Sequence, residues 1–163
     1  LRSFTDEATK YGQTLQTRIL AQEVVPAEGK VAQELQVPSG TPVIMIRRTR
    51  IVDGEPIAIE TSHLIHSRFP ILATLDLNNA SMYRTLRERY GVVPEEAVDS
   101  YAAGPPTSAE ARALGLEPGA AVWHCQRTSF DKDGGLIEYP DSTFRLDRFR
   151  FTTRRRALPS GDQ

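Results

Sequence analysis

The chain is predicted to fold as an α+β domain built on a mostly antiparallel sheet, and three features of the sequence carry that prediction. Runs of β-branched residues break at Asp53-Gly54 and Asp133-Gly134, the mark of hairpins whose turns need positive φ. Short helical segments with start and stop signals fall among the strand-like runs. A faint internal repeat relates residues 32–43 to residues 111–122, each copy reading as a short helix, a turn with Gly and then a strand. Each strand carries Arg-Thr (Arg48-Thr49, Arg127-Thr128) and each return strand a glutamate (Glu60, Glu138), which makes the two glutamates corresponding residues. The period is too long for a solenoid. It reads as a pseudo-duplicated helix-plus-hairpin unit in one domain, with a ligand site expected between the halves.

Along the chain, Ser3-Phe4-Thr5-Asp6-Glu7 reads as a helix start, with Ser3 as N-cap and acids in the first turn, and Gly12 as the stop. Residues 14–25 alternate loosely as a strand up to Pro26. Residues 28–35 are the first repeat helix, followed by the first hairpin. Residues 64–78 read as irregular, with a short apolar turn at residues 69–72. Residues 81–90 form a good helix in which Tyr83, Leu86 and Tyr90 share a stripe and Gly91 is the stop. Residues 92–103 read as a strand ending before Pro105-Pro106, and the second repeat helix spans residues 108–114. Strands follow at residues 121–131 and 136–145, with a last short one at residues 149–151. Residues 154–163 form a polar end expected to fray.

Within the first hairpin, Arg48 and Arg50 continue the face that Ile44 and Ile46 begin. Charges on an apolar face need a partner, because an unpaired buried charge is costly. A three-residue loop with Gly54 as its bulge residue brings Glu60 to the same face. A strict two-residue turn sends it to the opposite one. A solvated edge hairpin with ordinary surface charges is the bland alternative.

Length and composition bound the function. At 163 residues the chain makes one domain with a real core. Its 20 basic and 21 acidic residues create no global field toward nucleic acid or an anionic membrane. The single cysteine, Cys125, excludes an intrachain disulfide framework, suits a reducing compartment and reads as a small core residue. No apolar run approaches the roughly 20 residues of a membrane span. The chain begins at Leu1, as a fragment of a longer protein would.

No enzyme signature is visible: no Gly-rich phosphate loop, no Gly-x-Ser-x-Gly and no spaced metal ligands. No catalytic residue, metal or cofactor is therefore expected. His63, His66 and His124 are scattered, and Arg154-Arg155-Arg156 lacks the aromatics of a nucleic-acid site. Anion binders remain. Helix starts at Phe4-Thr5 and Ser81 offer free backbone N–H groups and hydroxyls, although each serine alone reads first as an ordinary cap. Arg48 and Arg50 suit bidentate binding of the same anion. Glu60 and Glu138 suit hydroxyl or amino donors. Together these describe a small phosphorylated metabolite.

At this point the motifs resemble a known family. Arg48-Thr49-Arg50, Gly54-Glu55-Pro56, Ala58-Ile59-Glu60-Thr61, Ser81-Met82-Tyr83 and the stretch from Glu138-Tyr139-Pro140 through Phe149-Arg150-Phe151 fall at the spacing of the effector-binding (UTRA) domain of GntR-family regulators of the HutC subfamily. The resemblance covers residues 1–152. It implies a chorismate-lyase-like α+β fold with helices flanking the sheet and a UTRA domain at residues 1–153. It further implies a cytoplasmic homodimer and a preceding winged helix-turn-helix domain, through which alone operator DNA is met. The members it resembles most sense glucosamine 6-phosphate or N-acetylglucosamine 6-phosphate. Carried over by position, Phe4, Thr5, Arg48, Arg50, Ser81 and Tyr83 hold the phosphate, and Glu60, Glu138 and Phe144 the sugar. Tyrosine is usual where this chain has Phe144, and the lost hydroxyl removes a hydrogen bond of about 0.5–1.5 kcal/mol net. The expectation is a ligand-sensing domain of a bacterial repressor in which the effector orders the segment around Ser3 to Asp6. A lyase acting on an aromatic carboxylate, or a dimerisation module with a vestigial pocket, are the rival readings.

Overall fold

A computed structural model describes residues 14–148. The helix expected after Ser3, the strand expected at residues 149–151 and the site residues Phe4 and Thr5 lie outside the described residues.

One six-stranded antiparallel sheet forms the frame. Its strands are β1 (Leu15–Pro26), β2 (Pro42–Val52), β3 (Glu55–Ile65), β4 (Glu96–Gly104), β5 (Val122–Phe130) and β6 (Leu136–Arg145), in the spatial order β1-β2-β3-β6-β5-β4. The order is a palindrome of two three-stranded meanders joined by the β3–β6 pair. Each meander carries a short helix between its first and second strands: α1 (Gly29–Glu34) in the first, α3 (Ser108–Ala113) in the second. The repeat is therefore larger than its sequence signal, because β1 and β4 also correspond. The two halves merge into one continuous sheet across the β3–β6 pair.

Between the meanders stand a 3-10 turn, Pro70–Ala73, and α2 (Met82–Tyr90). Ser81 caps α2 and Gly91 ends it at φ 66°, a left-handed stop that glycine adopts without steric cost. Met82 and Leu86 of α2 pack on Ile44, Ile46 and Leu64 of the even-numbered sheet face. On the opposite face, Ala32 of α1 and the following Leu35 cover Val43 and Tyr139. α3 starts from a capping box in which Thr107 and Glu110 satisfy each other's backbone N–H groups.

The first hairpin resolves its own ambiguity in an unexpected way. Asp53 and Gly54, at φ 49° and 84°, make a two-residue turn, since Val52 pairs with Glu55 and Ile51 with Pro56. The next pair is Arg50 with Ala58, so Ile57 is an extra residue in β3. That bulge restores the parity a two-residue turn would have broken. Glu60 shares a face with Arg48 and Arg50, as the three-residue loop had been expected to achieve.

Candidate functional site

The even-numbered face of β2 is apolar at Ile44, Ile46 and Val52 and cationic between them at Arg48 and Arg50. Ile44 and Ile46 are sealed under α2, and Arg48 and Arg50 are buried just as deeply. Glu60 stands directly opposite Arg48 in the ladder. Its Oε1 accepts from Nη2 of Arg48 and, at 3.0 Å, from Nη2 of Arg50. Nη1 of Arg50 donates to Thr17 Oγ1 at 2.9 Å. Burial pushes the Glu60 carboxyl upward, but the charge and hydrogen bonds of Arg48 and Arg50 outweigh it and hold its pKa at about 2. For Arg50, burial lowers the pKa despite Glu60. The solvated-edge reading of this hairpin is thus excluded.

The pairing leaves capacity unused. Nε and Nη1 of Arg48, whose residue is 1% exposed, have no hydrogen-bond partner among the described residues. Neither has Oε2 of Glu138, a residue 4% exposed on β6. Buried polar groups without partners are rare and point to a ligand, an ion or water. Glu138 lies on the same sheet face as Glu60, because Glu60 pairs with Ser142 and Glu138 is four residues along the same strand. Burial first, and the Glu60 charge second, lift its pKa to about 7 against the pull of Arg48, Arg127 and Arg50.

The ladder also corrects the correspondence between the two glutamates. In the second hairpin Ile137 is the extra residue, since Phe130 pairs with Leu136 and Ser129 with Glu138. Aligning the bulges matches Arg48 with Arg127 but Glu138 with Ala58. Glu60 matches Pro140. The sequence repeat misplaced the pair because the two return strands are offset by two residues once the loops differ in length.

Arg127 is the residue that sequence reasoning noted in the repeat and did not place in the site. Where Arg48 turns inward to Glu60, Arg127 turns outward to Asp99, its partner on β4, through Nε at 2.6 Å and Nη2 at 2.8 Å. The Tyr83 hydroxyl lies against Arg127 and Ser129, and burial together with the Glu138 charge raises its pKa to about 12. Tyr83 therefore stands over the Glu138 side of the face. The Arg-Thr repeat was the available signal.

Ser81 is placed by the loop before α2. Asn79 accepts from the backbone N–H of Thr17 at 3.0 Å and Asn78 from that of Ile19, which ties the start of α2 to β1 beside the residue that Arg50 holds. Ser81 Oγ accepts from the Arg84 N–H at 3.4 Å and keeps its own proton to donate. Phe144 pairs with Ala58 in the ladder and packs with Val52, Ile57 and Cys125. It stands at the Arg50 end of the face, remote along β6 from Glu138. Cys125 is a core residue, and burial raises its pKa to about 11. An open groove of about 530 Å³ lies elsewhere, between residues 105–108 and 116–121. Among the described residues no helix is long and apolar enough to cross a membrane.

Comparison with known proteins agrees with this architecture. Residues 10–150 match the UTRA domain family. The chain is 31% identical over 150 residues to the HTH-type transcriptional repressor PhnF of Mycolicibacterium smegmatis, covering 92% of this chain and 61% of that protein. It is 28% identical over 155 residues to the repressor NagR of Bacillus subtilis, covering 93% of this chain and 62% of that protein. The crystal structure of the PhnF effector domain superposes with a TM-score of 0.89 at 30% identity and 95% coverage of each chain. The chain spans about three-fifths of the length of these curated relatives. With the repeat, the six-stranded antiparallel sheet and the family match over most of its length, the chain belongs to the UTRA domain family, and it is similar to HTH-type transcriptional repressors.

Proposed function

We propose that this domain is the effector sensor of a transcriptional repressor and that its effector is a small phosphorylated metabolite. The observation that carries the reading is the buried Arg48, paired on one side with Glu60 and holding two further N–H-bearing nitrogens without a partner among the described residues. A guanidinium so placed suits an oxyanion, which it binds by charge-assisted, bidentate hydrogen bonds. Arg50 beside it, the Ser81 hydroxyl and the start of α2 supply the further donors a phosphate takes up. Glu60, Glu138 and Tyr83 provide the polar groups that a sugar presents its hydroxyls to. Among phosphorylated metabolites we favour glucosamine 6-phosphate or N-acetylglucosamine 6-phosphate, on the family resemblance of the motifs. Phe4 and Thr5 belong to the same phosphate site in this proposal.

The full-length protein is proposed to carry a winged helix-turn-helix domain before residue 1, to form a homodimer and to meet operator DNA only through that domain. The effector then acts by binding one arrangement of the two domains better than another. Calorimetry with glucosamine 6-phosphate and with glucosamine is the test. The phosphorylated sugar should bind far more tightly, and equal affinities would end the phosphate-sensor reading.

A further inference from the structure

The cationic face holds three guanidiniums, of Arg48, Arg50 and Arg127, and two carboxylates already committed to them. Glu60 is bound by Arg48 and Arg50, and Asp99 by Arg127. One positive charge is left over, and Glu138 is the remaining carboxyl, buried with an oxygen that no described residue meets. The groups facing Glu138 are Glu60 on β3, Arg48 and Arg50 on β2, Arg127 and Ser129 on β5 and Tyr83 on α2. An ionised Glu138 supplies the missing negative charge from within. An entering oxyanion supplies it from outside. Both at once place two like charges in one low-dielectric pocket, which is costly.

We infer that the effector anion and a proton are taken up together, with the proton landing on Glu138. Binding then turns Glu138 from an ionised acceptor into a neutral carboxylic acid, a hydrogen-bond donor toward an acceptor oxygen of the effector. The site selects an oxyanion over a neutral molecule because only the anion replaces the charge that Glu138 gives up. Burial and Glu60 bring the free carboxyl close enough to neutrality for this exchange to occur at ordinary pH. The proposal rests on the anion-binding reading of Arg48 and Arg50, and its test separates the two.

The probe is sulfate, whose own charge is constant from pH 5 to 9, titrated into the 163-residue chain at pH 6, 7 and 8. Sulfate affinity should fall about tenfold from pH 6 to pH 8, the consequence of one proton on a group titrating midway. The Glu138→Gln variant should bind sulfate with one affinity across the range. Carbon-13 NMR of the unaltered chain should show the Glu138 carboxyl titrating near neutrality and moving to higher pH when sulfate is added. A wild-type affinity independent of pH, a pH dependence that survives in Glu138→Gln, or a Glu138 carboxyl titrating in the ordinary range would each overturn the coupling. Absence of sulfate binding at every pH, with Glu138 still titrating near neutrality, would overturn the anion pole itself and the coupling with it.

Discussion

Arg48 is the residue on which the observed buried pairing and the proposed binding meet. The hairpin sequence implies that replacing either arginine leaves stability intact, since the apolar half of the strand is untouched. The buried pairing with Glu60 alters that expectation. Removing Arg48 leaves the buried Glu60 with Arg50 alone, so Arg48→Ala should lower unfolding free energy by about 1.5–3 kcal/mol, the scale of a hydrogen bond to a charged group. The same variant should weaken a sugar phosphate by about 1.5–3 kcal/mol. Urea titration and calorimetry on the folded variant separate the two losses, and an unaltered affinity would remove Arg48 from the site. Glu138 gives a pH signature with a definite sign. Its pKa rises from an ordinary 4.5 to about 7 on folding, so its contribution to stability is complete below pH 4.5 and is lost as pH climbs through 7. Glu60 runs the other way: its contribution holds above pH 4.5 and is lost as pH falls toward 2. The urea-midpoint advantage of the wild type over Glu138→Gln should therefore shrink from pH 5 to pH 8. A constant difference would place Glu138 in an ordinary solvated environment.

At the scale of elements, the start of α2 carries an observed cap and a proposed phosphate contact, and the two can be separated. Ser81 caps the helix through its lone pair and keeps a proton for a ligand. Ser81→Ala should cost about 1 kcal/mol of stability, whereas Ser81→Gly costs only a few tenths. Both lack the hydroxyl, so both should lose the same affinity for glucosamine 6-phosphate. If affinity follows stability instead, weakening in the alanine variant alone, Ser81 is a cap and nothing more. The bulge at Ile57 is the other element-scale device. It allows a tight Asp53-Gly54 turn and still keeps Glu60 on the face of Arg48, which a regular ladder with that turn forbids.

For the whole molecule, the palindromic sheet explains why the polar face is bipolar. Related positions carry Arg48 and Arg127, but their acids come from different strands, β3 in one half and β4 in the other. Among the described residues both outer strands are open edges, with Leu20 and Val24 on β1 and Val98 on β4 exposed. The domain is expected to self-associate, as proposed for the full-length protein. Sedimentation at high micromolar concentration should report a dimer, and a monomer there would contradict the assembly.

Much of this fold follows from local chemistry and was legible before any coordinates. The Asp-Gly turns, the Ser81 and Gly91 signals and the duplicated helix-plus-hairpin pattern each depend on a residue and its near neighbours, and their positions agree with the strands and helices found. The arginines on an apolar face announced a buried partner, because an unpaired charge there is too costly to persist. Which residues meet was another matter. Two single-residue bulges set the face of Glu60 and the place of Glu138, and a bulge has no signature in a run of β-branched residues. The burial of Tyr83 against Arg127, and the pairing of that arginine with Asp99 of β4, come from distant segments brought into register by the sheet. The sequence alone determined an antiparallel α+β domain whose first hairpin sets two arginines on an apolar face. Only the tertiary structure decided which carboxylate is paired and which is left open, because that depends on long-range register and on a shared low-dielectric field.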